Sequence, residues 1–104
     1  MKVFYLEQND MTQKAIELAL VAKGIEVYTA SPGDDFEHIL VDWGADLLVV
    51  DLSSVDGELE RFLATQIPVL VTCENGQVEG DFEVVSKPLN PVEFAHLILE
   101  KFNT

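Results

Sequence analysis

Four consecutive apolar residues, Leu47-Leu48-Val49-Val50, followed at once by Asp51, constrain this chain more than any other stretch. Asp46 precedes the run, and Ser53, Ser54 and Gly57 follow it, so turn formers bound it on both sides. A short uninterrupted apolar run of this kind reads as a strand covered on both faces. Such strands are the inner members of parallel sheets, which carry helices on each side. Asp51 then stands where the chain leaves the sheet, the edge at which open α/β folds bind ligands. Aspartate is also an ordinary turn former, and taken alone Asp51 says no more than that.

The flanking sequence supplies the alternation that a parallel sheet needs. Lys2 to Leu6 is apolar and β-prone, and Ile25 to Ala30 has the same character. Between them, Asp10-x-x-Gln13 has the form of a capping box, and Ile16, Ala19 and Leu20 share one helical face up to the stop at Gly24. Ser31-Pro32 reads as the start of a second helix carrying Phe36, Ile39, Leu40 and Trp43, ended by Gly44. A short helix is expected from Glu58 to Ala64, a fourth strand over 67–72 and a fifth over 82–86. Asn90-Pro91-Val92-Glu93 combines an N-cap, a first-turn proline and an acid. It opens a final helix whose inner stripe is Phe94, Ala95, Ile98, Leu99 and Phe102. Strands alternating with helices predict a three-layer α/β fold: five parallel strands, helices on both faces, right-handed crossovers.

The 104 residues suffice for one domain, expected to span 1–104, and 48% of them are hydrophobic, enough for a packed core. No apolar run is long enough to cross a bilayer, and polar residues interrupt the N-terminal apolar stretch too early for a signal peptide. With Cys73 the single cysteine, no internal disulfide can form, and a cytoplasmic location is expected. A net charge of −13 repels phosphate backbones, so nucleic-acid binding is not expected. It suits metal cations and basic protein surfaces. The first strand is followed by Glu7-Gln8-Asn9-Asp10-Met11-Thr12, without a glycine, so no phosphate-cradling nucleotide loop is present there.

The strand ends carry the chemistry. Glu7 and Gln8 end the first strand, Asp51 the third, Thr72 the fourth and Lys87-Pro88 the fifth. In a parallel sheet these all fall on one edge. In that order the sequence resembles the receiver domain of two-component response regulators, on the buried strand ending in Asp51, the hydroxyl after Ile67-Pro68-Val69-Leu70-Val71, and the Ser86-Lys87-Pro88 segment. The resemblance spans essentially the whole chain. It implies a flavodoxin-like sheet and a signalling role rather than an enzymatic one. It also implies phosphoryl transfer to Asp51 from a partner histidine kinase, Mg²⁺ assisting. By the same resemblance Thr72 senses the phosphoryl group and Lys87 makes a charged contact to it, while Glu7, Gln8, Asp51 and the Ser53 carbonyl hold the metal.

Four departures from the family pattern are legible. Gln8 stands where a metal-binding acid is usual, which lowers the expected Mg²⁺ affinity because a hard cation prefers carboxylates. The loop after Asp51 lacks the usual proline. Only 15 positions (87 − 72) separate Thr72 from Lys87, so the fourth crossover helix is expected to be shortened or missing. Val84 replaces an aromatic switch residue. The expected function is a stand-alone receiver phosphorylated on Asp51 and signalling by protein contact; the alternative is a phosphorylation-independent pseudo-receiver acting as an interaction module. Homodimerisation is left open, and strand five with the last helix is the expected partner face. His38 and His96 lack metal-ligand spacing and are assigned no chemistry.

Overall fold

The structure, a computed structural model, describes residues 1–31, 36–55, 59–74 and 82–102. Five strands, β1 (Lys2–Leu6), β2 (Glu26–Ala30), β3 (Leu47–Asp51), β4 (Val69–Cys73) and β5 (Glu83–Ser86), form one parallel sheet in the order β2-β1-β3-β4-β5. The helices are α1 (Asp10–Ala22), α2 (Phe36–Trp43), α3 (Leu52–Val55), α4 (Leu59–Leu63) and α5 (Pro91–Phe102). The order reverses at β1, so β1 and β3 sit side by side at the switch point, where doubly wound sheets open a crevice.

Alternation along the inner strands divides the core in two. Val3, Tyr5, Leu47, Val49 and Leu70 face α1 and α5, where they meet Ile16, Leu20, Phe94, Ala95 and Ile98. Phe4, Leu6, Leu48, Val50, Val69 and Val71 face the other way, toward Phe36, Leu40, Val55 and Phe62. Full burial of each large side chain contributes about 1.5–3 kcal/mol, so both layers are needed to hold the sheet. Every residue of β3 and of β4 is buried, as the apolar run from Leu47 requires.

The helix signals are partly as read. Gly24 (φ 81°) and Gly44 (φ 75°) take the left-handed conformation that ends α1 and α2. Asn90 caps α5, its Oδ1 accepting from Glu93 N at 3.1 Å. The N-cap of α1, however, is Asn9, whose Oδ1 accepts from Thr12 N at 2.9 Å. The expected capping box of Asp10 and Gln13 does not form. Gln13 instead turns inward, its Nε2 donating to the Glu7 and Ala30 carbonyls at 3.1 and 3.0 Å. The Glu7 carbonyl lies past the end of β1, the Ala30 carbonyl otherwise accepts only a long 3.3 Å bond from Glu7 N, and a buried carbonyl draws a donor more strongly than a solvated helix end does. The fourth strand begins two residues later than expected, because Pro68 has no N–H to donate; its carbonyl still accepts from Leu48 N at 2.9 Å.

Residues 52–55, read from sequence as loop, form the one turn of α3. The proposed start of the second helix at Pro32 and the fourth crossover helix fall on 32–35 and 75–81, outside the described residues. Trp43 packs at the end of α2 as expected, with Tyr28 at 5.8 Å between ring centroids and the Lys2 ammonium 5.7 Å from its ring.

Candidate functional site

Register brings the strand-end residues together. Asp51 is paired with Thr72 across β3 and β4, and Val85 lies beside Thr72 on β5. Lys87 extends the β5 ladder by one bond, its N–H donating to Cys73 O at 2.8 Å. From there its side chain crosses the end of β4 and reaches two carboxylates. Its Nζ lies 2.7 Å from Glu7 Oε1 and 2.8 Å from Asp51 Oδ1. The Glu7 and Asp51 side chains are 0% and 2% exposed, that of Lys87 16%. Two buried acids and one half-sheltered ammonium thus form a single charge cluster joining β1, β3 and the end of β5.

The second oxygen of Asp51 is also taken. Ser53 Oγ donates to Oδ2 at 2.6 Å and Ser54 Oγ donates to the same atom at 2.7 Å. Gln8 engages both serines. Its backbone N–H donates to Ser54 Oγ at 2.9 Å, and its side-chain Nε2 donates to Ser53 Oγ at 3.2 Å. This requires α3, since a helical turn starting after Asp51 places residues two and three positions on back over its carboxylate. Ser54 escaped the sequence reading because its stretch was read as a loop. The spacing Asp51-x-Ser53-Ser54 was the available signal.

Electrostatics follow from these contacts. Burial works to raise the Asp51 pKa, but the hydrogen bonds from Lys87, Ser53 and Ser54, with the Lys87 charge, outweigh it and hold the carboxyl below its usual range. Burial likewise works to lower Lys87. The bonds to Asp51 and Glu7 and their charges outweigh it and hold the ammonium above its usual range. Tyr5, two residues before Glu7 on the same strand face, is pushed up by burial first and by the Glu7 and Asp51 charges after it. Its phenol is neutral at any physiological pH. Among the described residues, two buried hydroxyls have no hydrogen-bond partner: Tyr5 Oη and Thr72 Oγ1.

Glu7, Gln8, Asp51 and Ser53, the four residues expected to hold a metal, do lie together. Their arrangement does not fit a divalent cation. Mg²⁺ demands oxygen ligands in near-octahedral order and usually one or two free carboxylates. Here Lys87 binds one oxygen of each acid, the serines occupy the second oxygen of Asp51, and Gln8 offers N–H groups to the serines. Among the described residues no group of three or more acidic, histidine or cysteine side chains is placed to hold a metal ion.

The sheet order, the crossing helices and an aspartate, a threonine and a lysine at three strand ends define the receiver fold of response regulators. Similar solved structures are receiver domains, atypical orphan regulators among them. An orphan response regulator of H. pylori superposes with a TM-score of 0.82 at 22% identity, covering 98% of this chain and 96% of that one. An atypical orphan response regulator described as having a phosphorylation-independent regulatory mechanism gives 0.80 at 22% identity, with 99% and 96% covered. The receiver domain of the Pseudomonas aeruginosa sensor histidine kinase PA1611, with magnesium in its active-site cleft, gives 0.75 at 16% identity, with 99% and 98% covered. No protein-family model matches the chain, and no curated protein matches it by sequence. Receiver domains are signalling modules rather than enzymes. No described helix is long and apolar enough to cross a membrane.

Proposed function

We propose that residues 1–104 form one receiver-fold signalling domain that acts by protein contact and does not depend on phosphorylation of Asp51. The observation that carries this reading is the state of the Asp51 carboxylate. Lys87 Nζ holds its Oδ1, and the Ser53 and Ser54 hydroxyls hold its Oδ2, so turning either oxygen toward an incoming group would break one of these bonds. A nucleophile must present a free oxygen in line with the incoming phosphorus. A charge-neutralising cation at its side would need carboxylates that Lys87 holds. Gln8 supplies no further carboxylate to hold such a cation in their place.

A second reading has one observation in its favour. Thr72 Oγ1 is buried, lies beside Asp51 in register and has no partner. Such a hydroxyl is a ready donor to an oxyanion formed on its neighbour. In this reading an Asp51 oxygen attacks the phosphorus of a kinase phosphohistidine, the P–N bond breaks, and the imidazole leaves and takes up a proton. Thr72 and Lys87 then donate to the acyl-phosphate oxygens.

The partner in either reading is a protein, a histidine kinase or another signalling protein, with a basic surface to match a net charge of −13. Strand five and the last helix, the expected partner face, carry exposed Val92 and a groove lined by Val85, Leu89, Phe94 and Leu97. Three of the exposed large apolar side chains among the described residues share one face of α1, Met11, Leu18 and Val21, which are 84%, 57% and 54% exposed. Met11 and Ala15 also line the groove between α1 and the β5–α5 turn, with Lys87 at one end. That face is the proposed docking surface.

An amide NMR spectrum in Mg²⁺, before and after beryllofluoride, separates the two readings. The phosphorylation-independent reading expects no shift around Asp51, Thr72 and Lys87. Saturable shifts there that spread along β5 would establish the phosphoacceptor instead.

A further inference from the structure

The two loops at the Asp51 edge are stitched together by Gln8. It follows β1, and its two N–H donors reach Ser53 and Ser54 on the first turn of α3, 45 and 46 positions along the chain. The serine oxygens accept from Gln8 and their protons go to Asp51 Oδ2. The serine-to-carboxylate bonds are 2.6 and 2.7 Å, those from Gln8 are 2.9 and 3.2 Å, and Ser54 is buried. Nothing in local helix formation calls for this. A first-turn serine more often caps its own helix than bridges to another strand. We propose that Gln8, Ser53 and Ser54 are a latch that closes the strand-end site from within, so that the receiver fold is held in a single state with no ion or phosphoryl group bound. This deepens the reading above: the domain presents one fixed docking surface because the edge that would switch it is satisfied internally.

The latch makes a claim separate from the missing acid. If Gln8 only lacks a charge, restoring the carboxylate is sufficient to create a cation site. If the serines also hold Asp51 Oδ2, the restored site remains handicapped until they are removed. Outer contacts that orient a ligand tune metal affinity by about 10–100-fold; the serines instead take the Asp51 oxygen that a cation would use, so the sign here is reversed and their removal is expected to raise the affinity. Ser53 and Ser54 both donate to Asp51 Oδ2, and Gln8 donates to the two serines, so the serines are positioning residues for Asp51.

The probe is Mg²⁺ alone, titrated into the full chain and followed by amide NMR, with the circular dichroism spectrum checking the fold. The native chain is expected to show no saturable shift below about 10 mM, beyond the weakest range of natural cation modules. Gln8→Asp is expected to bind, and Gln8→Asp with Ser53→Ala and Ser54→Ala to bind at least about tenfold more tightly. Equal or weaker binding by the triple variant overturns the latch, as does saturable binding by the native chain. If the triple variant does not fold, Ser53→Ala in the Gln8→Asp background serves, because Ser53 is exposed; a rise in affinity supports the latch and an unchanged affinity overturns it. A beryllofluoride response of the native chain in Mg²⁺ would defeat both the phosphorylation-independent reading and the latch, whereas equal affinity of the Gln8→Asp and triple variants with no such response overturns the latch alone.

Discussion

Lys87→Met tests the charge cluster most directly. The change keeps an unbranched apolar stem and deletes the ammonium that lies 2.7 Å from Glu7 and 2.8 Å from Asp51. Both acids are at most 2% exposed, so two like charges would be left facing each other away from water. Breaking a buried pair by removing one partner costs about 3–5 kcal/mol. Relief of the lysine's own desolvation and the retained stem packing offset part of it, which sets the expectation at about 3 kcal/mol. For a domain of this size that is a fall in Tm of roughly 12–20 °C. The assay is urea or thermal unfolding followed at pH 7 and again near pH 4.5.

The pH dependence carries the sign. In the native chain Asp51 has a depressed pKa, so its contribution is present above the unfolded carboxyl value and fades as pH falls through the folded one. The raised Lys87 contributes fully below its unfolded value and loses that contribution only as pH rises through the folded one. Without the ammonium one buried acid prefers a proton, so acid helps the variant, while the native chain keeps the Asp51 contribution down to pH 4.5 because its depressed pKa lies lower still. The gap between them must narrow between pH 7 and pH 4.5. A loss below about 1 kcal/mol, or a gap that does not change with pH, would refute the reasoning. Adding Glu7→Gln to Lys87→Met should recover part of the loss, since it removes one of the stranded charges.

Two further measurements address single groups. Tyr5→Phe should stabilise the fold by about 1 kcal/mol in urea unfolding, because the deleted hydroxyl is buried and unpartnered; a destabilised variant would mean that the hydroxyl is satisfied. Asn90→Ala should cost about 1 kcal/mol by the loss of the bond to Glu93 N, and a change under a few tenths would show that the cap is idle.

The sheet was legible in the sequence because its inner strands are buried on both faces, which leaves runs such as Leu47 to Val50 with no polar interruption. Gly24, Gly44 and Asn90 were legible because helix ends have a local chemistry. The assembly of Glu7, Asp51, Thr72 and Lys87 on one edge followed from parallel topology alone. What escaped was decided by longer-range demand. Gln13 has the spacing of a capping residue, yet two strand-end carbonyls claim its amide. Ser54 looks like loop sequence until α3 turns it onto Asp51. The partners of a side chain at a strand end depend on what the neighbouring loops leave unsatisfied, and that is not written in the spacing of the residues themselves.

The bond between Lys87 and Glu7 spans 80 positions of chain. A contact that closes so large a loop is entropically remote early in folding, and the strands between the two ends must already be paired before the ammonium can reach. The cluster is therefore expected to form late, with a low φ-value that the folding and unfolding rates of Lys87→Met measure. Interactions absent from the transition state leave the folding rate almost untouched and set the rate of unfolding. A single ammonium at the last strand's end is thus a brake on opening: the lifetime of the folded domain, more than the speed at which it is made, rests on it.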